Sequence, residues 1–117
     1  MSKTIRLDLI EIGATSAEAH SAAKKFYSEI FGFEFTDWGP DYSDCSEIKP
    51  AFGINSDPGH RPSAPLPVFY SEDLEGSKET VEESGGEIVV DIFEFPGGHR
   101  FHFKDPAGNV VAIWSDK

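Results

Sequence analysis

Residues 93–114 read FEFPGGHRFHFKDPAGNVVAIW, and this stretch decides the fold. Two alternating segments flank the turn DPAG. Asp105 can accept a backbone hydrogen bond, Pro106 presets φ, and Gly108 supplies the positive φ that closes the turn. Before it, Phe101 and Phe103 share one face of a strand while Arg100, His102 and Lys104 share the other. After it, Val111 and Ile113 alternate with Val110, Ala112 and Trp114. Period-two alternation on both sides of a turn is a hairpin. One face is expected in a core and the other at a site.

The rest of the chain extends this pattern upstream. Residues 87–93 (EIVVDIF) read as a strand and 73–84 (DLEGSKETVEES) as a polar helix ended by Gly85-Gly86. Residues 66–71 (LPVFYS) read as another strand. The preceding segment 57–65 (DPGHRPSAP) holds three prolines and almost no apolar side chain, which makes it a linker between two halves. Upstream of it the order repeats. Residues 5–12 (IRLDLIEI) alternate as a strand, with Leu7 and Leu9 on one side and Arg6 and Asp8 on the other. Ser16 is an N-cap, and Ala19, Ala22, Ala23, Phe26, Tyr27 and Ile30 recur at helical spacing as a buried stripe. Gly32 ends the helix. Residues 33–38, 42–48 and 51–56 read as three further strands. Each half is strand, helix, strand, strand, strand, over about 55 residues. Module one spans about 4–56 and module two about 66–116.

Composition limits what such a chain does. At 117 residues it is one domain. The apolar fraction is only 38%, but ten Phe, three Tyr and two Trp supply large buried areas. Cys45 is the lone cysteine, which excludes an intrachain disulfide and a cysteine-cluster metal site. The net charge of −11 argues against nucleic acid and anionic membranes as partners, because phosphate recognition needs a basic footprint. The start, MSKTIRLDL, has no apolar signal core, and no run reaches membrane-spanning length. A reducing cytoplasm is the expected compartment.

FYSEIFGFEF at 26–35, DLEGSKETVEESGGEIV at 73–89 and FKDPAGNVVAIW at 103–114 together resemble the vicinal oxygen chelate superfamily. That group takes in glyoxalase I, bleomycin-resistance proteins and extradiol dioxygenases. The resemblance implies an α+β fold in which two βαβββ modules form an eight-stranded open, barrel-like sheet around a groove, with helices outside. It also implies a homodimer. Family enzymes hold a divalent metal with His, Gln or Glu from the first, fourth, fifth and last strands. By the resemblance, the last-strand position falls on Ala112 and the fifth-strand position on Pro67, and neither side chain is a metal ligand. The first-strand position falls on Leu7 or a neighbour, with Asp8 the nearby anion, and the fourth-strand position near Asn55. A catalytic metal site needs about three protein ligands.

The expectation is therefore a cofactor-free groove that binds a small molecule. The alternative is a divalent metal at a rearranged site, serving a lyase, isomerase or dioxygenase-like reaction. The expected ligand-binding residues are Trp38, Tyr42, Phe69, Arg100, His102 and Trp114, with Arg100 suited to a carboxylate or phosphate and His102 to hydrogen bonding or proton transfer. Ser71 is expected to face the groove beside Phe69, and Tyr70 to face the core. His20, among alanines on a helix, is expected to be solvated. His99 and His102, three apart in a strand, point to opposite faces.

Overall fold

A computed structural model describes residues 5–117; position 4, the expected start of module one, lies outside them. The elements run β1 (Ile5–Gly13), α1 (Ala17–Phe31), β2 (Thr36–Asp37), β3 (Tyr42–Cys45), β4 (Ala51–Asn55), β5 (Leu66–Ser71), α2 (Leu74–Glu83), β6 (Glu87–Phe95), β7 (Gly98–Lys104) and β8 (Val110–Ser115). The eight strands follow the hydrogen-bonded order β2-β3-β4-β1-β5-β8-β7-β6, with β2 and β6 at its two ends. The sheet is mixed and open, as expected for the α+β class. The first strand of each module runs parallel to the last, β1 to β4 and β5 to β8, while β2–β3, β3–β4, β6–β7 and β7–β8 are antiparallel.

The chain packs as two compact units. One comprises Leu9–Leu66 and the other residues 5–8 with Pro67–Lys117. β1 therefore contributes to both.

In the second unit the turn at 105–109 forms as its residues dictate. Asp105 Oδ1 accepts the Ala107 and Asn109 backbone N–H groups, each at 2.9 Å, and Gly108 adopts φ 94°. The register it fixes pairs Phe103 with Val111 and Phe101 with Ile113. Phe101, Ile113 and Leu74 of α2 form the buried centre, and Phe69, Val81, Ile88, Ile92 and Phe103 pack around them. Asp73 caps α2 by accepting the Gly76 N–H. Two register shifts in β6, between Ile88 and Val90 and between Val90 and Phe93, bend that strand.

Phe69 thus lies on the α2 side, against the expectation that placed it facing a groove. Parallel partners share a face. Phe69 pairs with Ile113 and Tyr70 with Trp114, so Tyr70 occupies the helix-free face. Ser71 follows Phe69 and bonds Ser77 of α2 at 2.7 Å.

In the first unit Ser16 caps α1 by accepting the Ala19 N–H at 3.0 Å, and Gly32 closes it at φ 74°. The buried stripe, however, is rotated from the expected one. Phe26 and Ile30 are 53% and 50% exposed, whereas His20 is buried. Tyr27 supplies the aromatic contact, edge-on to Phe52 at 5.0 Å. The strand expected over 33–38 shrinks to Thr36–Asp37, because Phe33 and Phe35 turn toward Phe52 as an aromatic cluster. The 57–65 segment is seated on its own unit. Arg61 Nη1 donates to the Thr15 carbonyl at 3.1 Å, and a Cβ at Gly13 would stand 2.1 Å from the Pro62 carbonyl oxygen.

Truncating the fully buried Phe101 to Ala removes the centre of the second unit and should cost about 3–5 kcal/mol. Phe26→Ala should cost less than about 1 kcal/mol, since that ring is already half in water. Urea unfolding of the two variants checks the rotation of α1. Equal losses would contradict it.

Candidate functional site

Each unit has a strand face that its helix does not cover, and the polar and aromatic residues collect there. In the second unit this face carries Val68, Tyr70, Arg100, His102, Ala112 and Trp114, related by the pairings Val68–Ala112, Tyr70–Trp114, Arg100–Trp114 and His102–Ala112. The bent β6 adds Phe93 and Phe95. Arg100 is 8% exposed and its guanidinium carbon lies 5.7 Å from the Phe93 ring and 5.8 Å from the Phe95 ring. The Trp114 ring lies 6.0 Å from Phe95 and 5.1 Å edge-on from Tyr70. Its indole N–H donates to Asp8 Oδ2 at 3.0 Å. The Arg6 guanidinium covers the outer face of Tyr70 at 4.4 Å. The His102 ring is buried, 5.9 Å from that of Phe93. A cation among aromatic faces can recognise a planar anion through charge and stacking together.

In the first unit the uncovered face holds Glu11, Gly53, Asn55, Tyr42 and Asp44, set by the pairings Glu11–Gly53, Asp44–Gly53 and Tyr42–Asn55. The missing side chain at Gly53 makes room for the Tyr42 ring, whose hydroxyl would lie 2.6 Å from a Cβ there. Tyr42 Oη donates to Asp44 Oδ2 at 3.3 Å, and Trp38 Nε1 donates to Asp44 Oδ1 at 3.0 Å. Trp38 remains 66% exposed, its indole plane fixed by that bond and by the Trp38 N–H to Tyr42 carbonyl bond of 2.9 Å. Glu11 is 1% exposed and accepts from Asn55 Nδ2 at 3.0 Å.

Of the expected site residues, Arg100, His102 and Trp114 come together on one face, and Trp38 and Tyr42 come together on another. Phe69 joins neither. Glu11 was missed by sequence reasoning, which took Asp8 as the anion of the first strand.

His20 corrects a second expectation. It is 4% exposed rather than solvated, with Nδ1 2.8 Å from Ser56 Oγ and Nε2 2.9 Å from Ser43 Oγ. Burial is the main cause lowering its pKa, with the Lys24 charge adding to it. Ser56 is 5% exposed, so its hydroxyl is closed off from substrate although a histidine stands beside it.

The sequence over residues 15–113 matches the family model of the Glyoxalase/Bleomycin resistance protein/Dioxygenase superfamily. The chain belongs to this superfamily. Among its relatives is a Mycobacterium bovis protein carrying the name glyoxylase CFP32, 29% identical over 105 residues, or 80% of this chain. The chain spans about 40% of the length of the curated relatives it matches. The Mn(II)-bound glyoxalase of Novosphingobium aromaticivorans shares the fold with a TM-score of 0.66 and 16% identity, over 99% of this chain and 40% of that one. A Legionella pneumophila structure described as an NAD-dependent benzaldehyde dehydrogenase superposes with a TM-score of 0.76 at 12% identity, over 93% of this chain and 98% of that one. At these identities the superpositions establish architecture only.

Two of the positions that the resemblance gives for the superfamily's divalent metal, Pro67 and Ala112, carry no donor atom. Ala112 is fully buried and carries a methyl group. The strand register sets Val68 across from it, so Val68 rather than Pro67 is the β5 residue on that face, and it too has no donor atom. Asp8 accepts from Trp114, and Asn55 Oδ1 accepts the Asp57 N–H at 2.8 Å. Among the described residues no three His, Cys, Asp or Glu side chains come together as a metal-holding group.

Gly53→Ala should push the Tyr42 ring off the sheet and cost about 1–3 kcal/mol by overpacking. Urea midpoints and the Tyr42 ring resonances report both effects. An unmoved ring would disprove the contact.

Proposed function

We propose that this superfamily member binds a small molecule on the helix-free face of its second module, without the family's metal. The observation that carries the reading is the composition of that face. The last-strand ligand position of the resemblance, Ala112, and its β5 neighbour Val68 are buried apolar residues, and on the same face Arg100 lies by Phe93 and Phe95, with Trp114 beside Phe95. Such a face offers stacking area and the Arg100 cation, which suits a planar ligand bearing a carboxylate or phosphate. Arg100 would grip the anion in a bidentate manner, Trp114 would supply the stacking surface, and His102 would hydrogen-bond to the ligand. Trp38 and Tyr42 are proposed as a further contact surface on the first module. The functional unit is proposed to be a homodimer, as the resemblance implies, in the cytoplasm, and gel filtration giving a monomeric mass would overturn the dimer.

The decisive experiment is metal analysis of protein purified without chelator or affinity tag, with thermal shifts against Ni, Zn, Mn and Fe(II). The expected result is substoichiometric metal and no saturating stabilisation. One equivalent of metal, or a shift saturating near one equivalent, would overturn the reading in favour of glyoxalase-like lyase or isomerase chemistry. A planar aromatic carboxylate titrated by tryptophan fluorescence tests the site itself. Trp114→Phe should keep most of the binding, and Arg100→Gln should weaken it about tenfold or more, the loss of one charge-assisted hydrogen-bonded contact.

A further inference from the structure

His20 of α1 sits in a hydrogen-bond chain whose direction can be assigned from its far end. Asp37 Oδ1 takes the Lys24 ammonium at 2.7 Å and the Ser43 hydroxyl at 2.6 Å. Those two bonds, Lys24 first, hold the Asp37 carboxyl below its ordinary range, so it stays ionised and can only accept. A serine hydroxyl has one hydrogen, and Ser43 gives its hydrogen to Asp37. Ser43 Oγ must then accept from His20, which places the ring hydrogen on Nε2. Nδ1 carries the lone pair and accepts the Ser56 hydroxyl. The neutral ring is thereby tied on one side to β3 and on the other to the residue following β4.

A second ring proton has only Nδ1 to occupy, and it would point at Ser56 Oγ. Ser56 must then turn its own hydrogen elsewhere. The Asp41 carbonyl, which takes the Ser56 N–H at 2.8 Å, already stands as a long second acceptor for this hydroxyl at 3.5 Å from Ser56 Oγ. Asp41 belongs to the Trp38–Tyr42 turn, which carries the exposed indole. We propose that His20 is a proton-operated clasp: neutral, it anchors α1 to β3 and the end of β4, and protonated, it hands the Ser56 hydroxyl to the Asp41 carbonyl and shifts the Trp38–Tyr42 turn. One solvent proton is taken up at Nδ1, and no bond to a heavy atom forms or breaks.

The charged groups facing the ring act in both directions. Lys24, on the same helix, opposes protonation, while Asp37 of β2 and Asp41 of the turn favour it; burial outweighs them and lowers the pKa from 6.5. Because the folded pKa lies below the unfolded one, the stabilisation is complete above about pH 6.5 and is lost as pH falls through the folded value. Protonating the clasp therefore takes a pH below 6.5.

Long-range proton–nitrogen NMR of the full chain between pH 8 and 4.5 tests this. The expected spectrum shows the Nε2–H tautomer at neutral pH and a His20 midpoint below 6.5, with the Trp38 indole and Asp41 amide signals moving at that same midpoint. An Nδ1–H tautomer, or Trp38 and Asp41 signals unmoved while His20 titrates, would overturn the proposal. Ser56→Ala should let His20 titrate but uncouple the turn from it. His20→Gln, which cannot titrate, should abolish the same transition while the carboxylate titrations nearer pH 4 persist. Retention of the full Trp38 transition in either variant would overturn the proposal as well.

Discussion

A β-strand has two faces, and a helix laid across one of them settles the use of both. In the second unit α2 buries Leu74 and Val81 against Phe69, Phe101 and Ile113, so every second residue of β5, β7 and β8 is committed to that contact. The intervening residues turn to the opposite face of the strands. Arg100, His102, Tyr70 and Trp114 therefore share that face, and β6 adds Phe93 and Phe95 to it. In the first unit α1 does the same with Tyr27 on Phe52, leaving Glu11, Tyr42, Asp44 and Asn55 on the other side. The candidate sites are what the helices leave over.

Features governed by one local rule were legible in the sequence. The DPAG turn, the Ser16 cap, the Gly32 stop and the alternation of 100–104 with 110–114 each depend on a few neighbouring residues, and each stands where the sequence put it. The order of elements in the two modules followed from these. Features that depend on a choice between faces were harder to read. LPVFYS has apolar residues on both sides, and only its pairing with β8 shows that Phe69 goes to the core and Tyr70 to the other face. The same pairing sets Val68, and not Pro67, beside Ala112.

Helix α1 shows a different failure. Phe26 and Ile30 outrank His20 on any hydropathy scale, so periodicity alone turns them inward. Two buried serines decide otherwise, because their hydroxyls are satisfied by the histidine ring that lies between them. A buried polar group left without a partner costs about 1–3 kcal/mol, comparable with the gain from burying an aliphatic side chain. Ser43 and Ser56 are 23 and 36 residues from His20 along the chain. No window of sequence contains all three.

The Pro62 carbonyl occupies the space that any side chain at position 13 would need. That contact makes the proline-rich segment part of the first module's wall rather than a tether, and it removes position 13 from the sites where the chain can drift. An engineer who wished to split or permute this protein would gain nothing by cutting within 57–62. The chain passes between the compact units at Asp8–Leu9 and again at Leu66–Pro67, and both crossings lie inside strands, β1 and β5.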